Sequence, residues 1–462
     1  MASPNRFARA VAALAGVTAM LLSSVANAQS IRLIRDTEIE ETIKAEARPV
    51  LVASGLNPDA VHFYLVADKD LNAFVAGGQN IFLHTGLISE TETPNQLLGV
   101  IAHEAGHISG GHSVRQGDMQ RAGMVPFLLT MGLGIAAAVA GQPQLGGALM
   151  GSSSYFGQLS VLSYSRVQEA AADQAAISSL EVAGLSSRGL VDFFDNFRYQ
   201  ELFSDQKKYP FFRSHPLSSE RIEALRRRSE EQAHYGEVDS AAAIEEHEII
   251  KAKLDAFLKP PQQTFIKYQD KDTRFVARYA RAIAYYQSGD ADKALVLIDK
   301  LLEEHPDNPY LWELKGQVLF ENARTPEAAL AHAKSVELKP DAPLLRINYA
   351  QSLIALNDNA RLDEAINQLN RALTLERDNS FAWNLMSQAY DTKGMPGPAR
   401  LATAEAKFAD GNLAEARAFA MRAREYLTEN TPDWRRATDI VLVSEPTPED
   451  LRALSRETRG GR

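Results

Sequence analysis

Two histidines and a glutamate stand in one short run of the sequence, His103-Glu104-Ala105-Gly106-His107. If the run is helical, both imidazoles project from one face, because residues four apart are neighbours on a helix. Two neutral imidazoles at that spacing bind one zinc ion, and Glu104 lies beside the open coordination position. There its carboxylate can take a proton from the attacking water and pass it to the leaving amine. The run predicts a zinc-dependent peptidase with one Zn²⁺ per chain.

The residues around this run carry the signals of a helix. Thr93 suits the N-cap, Pro94 suits the first helical position, and Gln96 completes a capping box. Apolar residues lead up to the histidines, and Gly110-Gly111 ends the pattern. Two histidines and a glutamate in the middle of such a helix would be costly to bury without a metal or other partners.

Zinc needs a third protein ligand, and the sequence offers two possibilities. A third histidine on the same segment would have to stand where Ser113 is, and His112 is one residue short, so we reject this class. The alternative is a carboxylate from a second helix, which we expect to begin with a capping box at Ser165. Glu169 can then reach the metal, and Asp173 can accept the distal N–H of a ligand histidine. An acidic first turn is also favoured by the helix dipole alone, but the zinc helix upstream favours the ligand role.

Composition excludes several other classes of protein. The chain has 462 residues, 45% of them apolar and 23% charged, which is typical of a globular protein of several domains. A net charge of −10 argues against nucleic-acid binding as the main function. The absence of cysteine excludes disulfides, thiolate zinc fingers and cysteine nucleophiles.

The N-terminus has the pattern of a secretory signal peptide over residues 1–28. Arg6 and Arg9 precede an apolar stretch, and Ala26-Asn27-Ala28 matches a cleavage site, so we expect the mature chain to start at Gln29. The alternative, an uncleaved membrane anchor, would need a longer apolar run. Export without any cysteine is consistent with the bacterial periplasm.

The second half of the chain is repetitive, with a period that matches tetratricopeptide repeats. Counted from Pro306, the bulky, small, small and proline positions of one unit are occupied by Trp312, Gly316, Ala328 and Pro340. Roughly four to five such units fit the sequence, some of them degenerate. Paired helices of this kind bury their faces on their neighbours and form a concave surface for peptides or partner proteins.

Together these patterns predict a mainly α chain with separate parts. We expect a zinc metalloprotease domain over residues 29–230, a helical connector over 231–265, a tetratricopeptide-repeat α-solenoid over 266–428, and a loose tail over 429–462.

Roughly residues 40 to 228 resemble the HtpX and CAAX-prenyl-protease family of metallopeptidases. The resemblance implies a gluzincin-like fold with a small β element. The combination with a signal peptide and repeats is similar to periplasmic proteases, and implies a role in outer-membrane protein quality control. The segments that carry the resemblance are Asn72-Ala73-Phe74, Gly77-Gly78, Ile81-Phe82, Gly86-Leu87-Ile88, the motif at 103–107, the segment 169–173, and His215-Pro216 with Arg221.

The resemblance also implies that His215 and Arg221 lie at the active site. Proline at 216 keeps His215 out of helical geometry, which suits a residue that reaches across a cleft. One possibility is that both residues stabilise the oxyanion of the tetrahedral intermediate. The other is that neutral His215 occupies the fourth position on zinc as an inhibitory ligand. We favour the blocking role for His215 and the oxyanion role for Arg221.

Two further segments have open interpretations. Residues 80–84 alternate weakly and predict a strand before the zinc helix, either structural or an edge strand that pairs with an extended substrate. Residues 123–141 carry no charge but are only weakly hydrophobic. They predict either a hairpin with peripheral membrane contact or a buried core helix.

Two functions fit these features. The first is a periplasmic zinc endopeptidase in the assembly and quality control of outer-membrane proteins, whose repeats recruit misfolded clients or the outer-membrane assembly machinery. The alternative is a chaperone or assembly adaptor in which the repeats do the main work and proteolysis is normally silent. The intact motif and Glu169 favour the first.

Overall fold

The structure, a computed structural model, describes residues 32–112, 165–203, 215, 218–452 and 454, and for 197–203 the backbone alone. The predicted signal segment, residues 1–28, and the uncharged segment, residues 123–141, lie outside the described residues. Within the described ranges, none of the helices combines the length and the apolarity that crossing a membrane requires.

A small sheet lies near the N-terminus. Its four strands are β1 (Leu33–Ile34), β2 (His62–Val66), β3 (Ala73–Ala76) and β4 (Asn80–His84), in the spatial order β1-β2-β4-β3. Strand β4 has the bounds that the sequence predicts, and it pairs parallel with β2 and antiparallel with β3. The expectation that β4 could be an edge strand is therefore wrong, because both of its sides are hydrogen-bonded within the sheet.

Six helices pack around this sheet and share one hydrophobic core with it. Apolar residues of α3 such as Leu97, Val100 and Ile101 are fully buried in that core. The helices are α1 (Thr37–Ala53), α2 (Thr85–Glu90), α3 (Pro94–Ser109), α4 (helical over 165–182), α5 (Arg188–Phe203) and α6 (Ser219–Glu230).

Helix α3 begins and ends as the sequence predicts. The Thr93 hydroxyl accepts the backbone N–H of Gln96 at 3.3 Å, and Pro94 stands at the first position. The Gln96 side chain reaches back and accepts the N–H of Glu92 at 2.8 Å. Gly110 is the C-cap. Caps of this kind satisfy backbone donors that the first turn leaves free.

Helix α4 packs unusually close to α3. A Cβ added to Gly106 would lie 2.7 Å from the carbonyl oxygen of Ala172, so only glycine fits there. Ser165, where the sequence predicts the capping box, is the first described residue of this segment and is helical. The predicted helix that carries Glu169 and Asp173 is present.

A long connector helix, α7 (Ala241–Leu258), joins the two halves of the chain, and α8 (Pro261–Lys267) follows it. Ile250 on α7 is buried in the core of the N-terminal half, while Ala252 and Ala256 belong to the core of the first repeats. Near its N-terminus α7 also contacts the segment before α3, since His247 Nε2 is 3.3 Å from the carbonyl oxygen of Thr91.

The remaining helices form five consecutive pairs, as expected for tetratricopeptide repeats. Small residues such as Ala294, Ala328 and Ala365 are fully buried between them. The pairs are α9 (Phe275–Gln287) with α10 (Ala291–Glu304), α11 (Pro309–Glu321) with α12 (Thr325–Leu338), α13 (Pro343–Ala355) with α14 (Asn359–Leu375), α15 (Ser380–Thr392) with α16 (Pro396–Ala409), and α17 (Leu413–Arg424) with α18 (Pro432–Val443).

Helix α18 corrects the expectation of a loose tail after residue 428. Ala437, Ile440 and Val441 are fully buried against the preceding helices. The prolines of this segment misled the prediction, because Pro432 is not a breaker here but the first residue of the helix, capped by the Thr431 hydroxyl. The fold class itself is confirmed, a mainly α chain in which an N-terminal domain with a small sheet precedes helical repeats.

Candidate metal centre

Two helices and one loop residue bring four metal-binding groups together. His103 and His107 project from α3, Glu169 comes from α4, and His215 precedes α6. One potential ligand atom of each residue lies within 4.8 Å of the others, and all four residues are buried. These are three imidazoles and one carboxylate, a donor set that suits zinc.

The spacing of these ligand atoms matches a tetrahedral ion. Nε2 of His103 is 3.1 Å from Nε2 of His107 and 3.2 Å from Nδ1 of His215. The carboxylate oxygens of Glu169 are 3.4 Å from each α3 histidine and 3.1 Å from His215. Zinc with ligands at about 2.0–2.1 Å in tetrahedral geometry needs ligand atoms about 3.3 Å apart. The residues therefore fit the ion that the sequence predicts.

Asp173 lies behind His103, one turn after Glu169 on α4. Its Oδ1 is 2.9 Å from Nδ1 of His103, the ring nitrogen on the far side from the metal centre. A carboxylate at this position orients a ligand imidazole and makes its other nitrogen the better donor to a metal. The sequence predicted this contact from the spacing of the two acidic residues.

Arg221 contacts the two carboxylates of α4. Its Nε is 2.7 Å from Asp173 Oδ2, and its Nη1 is 3.0 Å from Glu169 Oε2. The guanidinium also lies over the ring of Phe194, 5.2 Å from the centroid. Phe194 is fully buried on α5 and meets the ring of His103 edge-on. This geometry favours a positioning role for Arg221 over the oxyanion role expected from the sequence.

Glu104 is fully buried beside the metal-binding residues. Neither of its carboxylate oxygens has a hydrogen bond within the described residues, and Oε1 is 3.5 Å from Nε2 of His215. Burial raises the pKa of Glu104, although the nearby charges of His215 and His103 oppose this change. A carboxylate of this kind accepts a proton more readily than a solvated one.

The protonation states suit metal binding. Burial lowers the pKa of His107 to about 2, helped by the charge on His103, so this imidazole is neutral. Burial raises the pKa of Glu169, but contacts with His103 and His215 outweigh it and leave a carboxylate. His103 is the exception, because Asp173 and Glu169 raise its pKa to about 9 against the effect of burial. A bound metal would displace that proton.

Two contacts at this centre were not predicted from the sequence. His112, rejected as a third ligand, has its Nδ1 3.0 Å from Nδ1 of His107, where it can fix the orientation of that ring. Its position just after α3 could have indicated that it contacts His107. Nothing in the sequence indicated a role for Phe194 at this centre, because an apolar residue on an amphipathic helix is ordinarily part of the hydrophobic core.

Comparisons with known proteins agree with both halves of this description. A family model described as Peptidase family M48 matches residues 34–229, and one described as Cytochrome c-type biogenesis protein H TPR domain matches residues 291–396. Peptidase family M48 is a family of metal-dependent peptidases.

Similar proteins have been named in several bacteria. The chain is 26% identical to a Beta-barrel assembly-enhancing protease from Yersinia pestis, over 77% of this chain and 73% of that one. It is 24% identical to the protein of the same name from Escherichia coli (strain K12), over 78% and 73%. It is 30% identical to Metalloprotease LoiP from the same organism, over 38% and 66%. This chain is therefore a metalloprotease that is similar to Peptidase family M48 over residues 34–229 and carries tetratricopeptide repeats after them.

Proposed function

We propose that the chain is a zinc endopeptidase whose metal is held by His103, His107 and Glu169, with His215 as a removable fourth ligand. The observation that carries this proposal is a set of five distances of 3.1–3.4 Å, which join imidazole nitrogens of the three histidines to one another and to the two carboxylate oxygens of Glu169. Buried imidazoles this close would be unfavourable as charged groups, and a shared cation relieves the conflict.

Zinc at this position would act as a Lewis acid that lowers the pKa of water to about 7 and polarises a peptide carbonyl. Glu104 takes the proton from the attacking water and delivers it to the leaving amine. Its burial next to His215 keeps solvent away from the carboxylate and strengthens its interaction with the reacting groups. Asp173 and Arg221 hold His103 and Glu169 in place.

His215 keeps the enzyme at rest in this proposal. A catalytic zinc site keeps one position open for water and substrate, whereas four protein ligands make a closed site. Nδ1 of His215 lies 3.2 Å from His103 Nε2 and 3.1 Å from Glu169 Oε2, close to the geometry of the missing tetrahedral corner. Cleavage then requires His215 to withdraw, which would limit damage to correctly folded proteins.

The cellular role that we propose is assembly and quality control of outer-membrane proteins from the periplasm. Two of the similar proteins are named for β-barrel assembly, and the alignments with them cover both the protease half and the repeats. The repeats recruit misfolded clients or components of the assembly machinery, and the protease removes clients that fail to assemble. A cleaved signal peptide over residues 1–28 delivers the chain to this compartment.

Metal analysis tests the ligand set. The purified wild type should contain one zinc per chain, and His103→Ala and Glu169→Ala should lose most of it. Glu104→Gln serves as the matched control, because it changes a buried carboxylate in the same centre that is not a ligand. Undiminished zinc in Glu169→Ala would refute the assignment of the third ligand.

The alternative, an assembly adaptor with normally silent proteolysis, draws support from the closed geometry around His215. The two functions separate in a strain that lacks the chromosomal gene. If Glu104→Gln restores the outer-membrane protein content as well as the wild type does, the adaptor function is favoured. If it accumulates unassembled clients, the protease function is favoured.

A further inference from the structure

A cavity of about 470 Å³ lies between the protease half and the repeats, apart from the metal centre. Arg35 and Asp36 line it from the segment before α1, and Lys253 and Phe257 line it from the connector helix α7. The third wall is the inner face of the repeat helices α11 and α13. A ligand in this cavity would contact the protease half, the connector and the repeats at once.

The repeat wall of the cavity carries side-chain amides and a carboxylate at regular spacing. Glu313 and Gln317 stand one turn apart on α11, and Asn348 and Gln351 stand one turn apart on α13. Nδ2 of Asn348 donates to Oε1 of Glu313 at 3.0 Å. Amide side chains both donate and accept, so such a row can pair with the backbone of an extended chain.

The cations at the cavity are already engaged by acidic partners. Arg35 contacts Glu376 and Glu40 at 2.6 and 2.8 Å. Lys253 is 2.8 Å from Asp36 and 3.0 Å from the buried carboxylate of Glu38.

Two further carboxylates on α11, those of Glu313 and Glu321, line the cavity. Within the described part of the chain neither makes an ion pair. The residues that line the cavity include two cations, Arg35 and Lys253, and three acids, Asp36, Glu313 and Glu321. Both cations are paired with other acids, which leaves Glu313 and Glu321 without an ion-pair partner among the described residues.

The environment of Glu313 disfavours the ionised form of its carboxyl group. Burial, together with the charges of Asp36 and Glu38, raises the pKa of Glu313 to about 8, although Lys253 opposes the change. His332 adds no positive charge, because burial lowers its pKa to about 4. Its Nε2 has no hydrogen-bond partner within the described residues. A cationic group bound in the cavity would stabilise the ionised form of Glu313.

We propose that this cavity binds a lysine or arginine side chain of an extended, unfolded polypeptide, with the cation at Glu313 and the peptide backbone along the amide row. The aliphatic part of such a side chain packs on Phe257 and Phe320, both of which line the cavity. The proposal names the chemistry that recruits clients and so rests on the recruitment role above, but peptide binding is measurable without any proteolysis.

The test is binding of fluorescein-labelled synthetic peptides to the full chain carrying Glu104→Gln, followed by fluorescence anisotropy. The peptides share an unstructured Gly/Ser/Thr sequence with one central lysine, norleucine or glutamate. We expect the lysine peptide to bind about tenfold more tightly than the norleucine peptide, and the glutamate peptide to bind more weakly still. Equal affinity for the three peptides would overturn the proposal.

Glu313→Gln, made in the same background, should lower the affinity for the lysine peptide about tenfold and remove the preference over norleucine. The matched control is Glu303→Gln, an exposed carboxylate on α10 that does not line the cavity. An unchanged preference in Glu313→Gln would exclude the cavity as the site. The zinc content of each variant separates the two proposals. Absence of the preference for lysine at full zinc content would contradict the role of the cavity but not the protease function. Absence of zinc with the expected peptide binding would contradict the proposed metal site but not the role of the cavity.

Discussion

Arg221 faces Asp173 through two parallel contacts, Nε to Oδ2 at 2.7 Å and Nη2 to Oδ1 at 2.8 Å. The planar fork of the guanidinium matches the carboxylate, and its third nitrogen reaches Glu169. Both contacted acids come from one turn of α4, where Glu169 is a proposed ligand and Asp173 orients another. Arg221 thus connects α6 to the metal centre.

Replacing Arg221 tests this positioning role. We expect Arg221→Gln to weaken zinc binding about 10- to 100-fold, the usual effect of losing a partner that orients metal ligands. Competition with a chelator of known affinity measures this change. The oxyanion role predicts instead that cleavage falls while zinc affinity stays the same. Arg226→Gln is the control, because Arg226 lies on the same helix and contacts Asp195 instead of the α4 carboxylates.

Asp173 gives an independent test of how His103 is held. Asp173→Asn keeps the volume but removes the negative charge 2.9 Å from Nδ1 of His103. Zinc affinity should fall about 10- to 100-fold. Asp192→Asn, which changes a half-buried residue on α5 away from the metal centre, should leave the zinc affinity unaltered. If Asp173→Asn binds zinc like the wild type, the contact with His103 has no role in metal binding.

The close approach of α3 and α4 depends on Gly106. A methyl group at this position would lie 2.7 Å from the Ala172 carbonyl oxygen, so Gly106→Ala must push the helices apart. We expect a loss of about 1–3 kcal/mol in the free energy of unfolding and weaker zinc binding, since each helix carries ligands. Chemical denaturation and chelator competition measure both effects. Gly236→Ala, where the added methyl meets nothing within 4 Å, should change neither.

The sequence predicted the local parts of this molecule well. Helix α3 begins with Thr93 and Pro94 as expected, and β4 has the predicted bounds, because caps, prolines and alternation act over a few neighbouring residues. The proximity of Glu169 to the histidines followed from the chemical need for a third ligand. Contacts between distant segments were harder to predict from the sequence. The partner of Arg221 and the interior position of β4 depend on such contacts, which leave no local pattern.

The end of the repeats shows the same limit. Pro432 and its neighbours have the composition of a tail, yet Ala437, Ile440 and Val441 are buried because the last repeat needs a covering helix. The charged cavity between the halves was equally hidden. Its acidic residues belong to the segment before α1 and to α11, which lie far apart in the sequence.

The connector helix gives the protein a predicted sensitivity to acid. Burial lowers the pKa of His247 to about 4, below the value of about 6.5 in an unfolded chain. The folded state therefore binds fewer protons, and the stability present above pH 6.5 declines as the pH falls towards 4. The loss amounts to about 2–3 kcal/mol in this window.

Replacing His247 should remove this part of the acid sensitivity. His247→Gln keeps a polar atom near the Thr91 carbonyl but does not titrate. Its free energy of unfolding, measured by chemical denaturation at pH 7.5, 5.5 and 4.5, should change less with pH than that of the wild type. His305→Gln, outside the connector, is the control. Parallel pH profiles of His247→Gln and the wild type would contradict the prediction.

The central claim is that the chain cleaves peptides at a zinc site. Glu104 is the general base of this reaction, and His215 blocks the site at rest. The most direct measurement is the rate at which zinc-loaded wild type, His215→Ala and the double variant His215→Ala/Glu104→Gln cleave an unfolded protein such as casein. The account predicts that His215→Ala is faster than the wild type. It also predicts that the double variant keeps one zinc per chain but loses about 10²–10⁴-fold in rate relative to His215→Ala. A zinc-loaded double variant that cleaves as fast as His215→Ala would contradict the account.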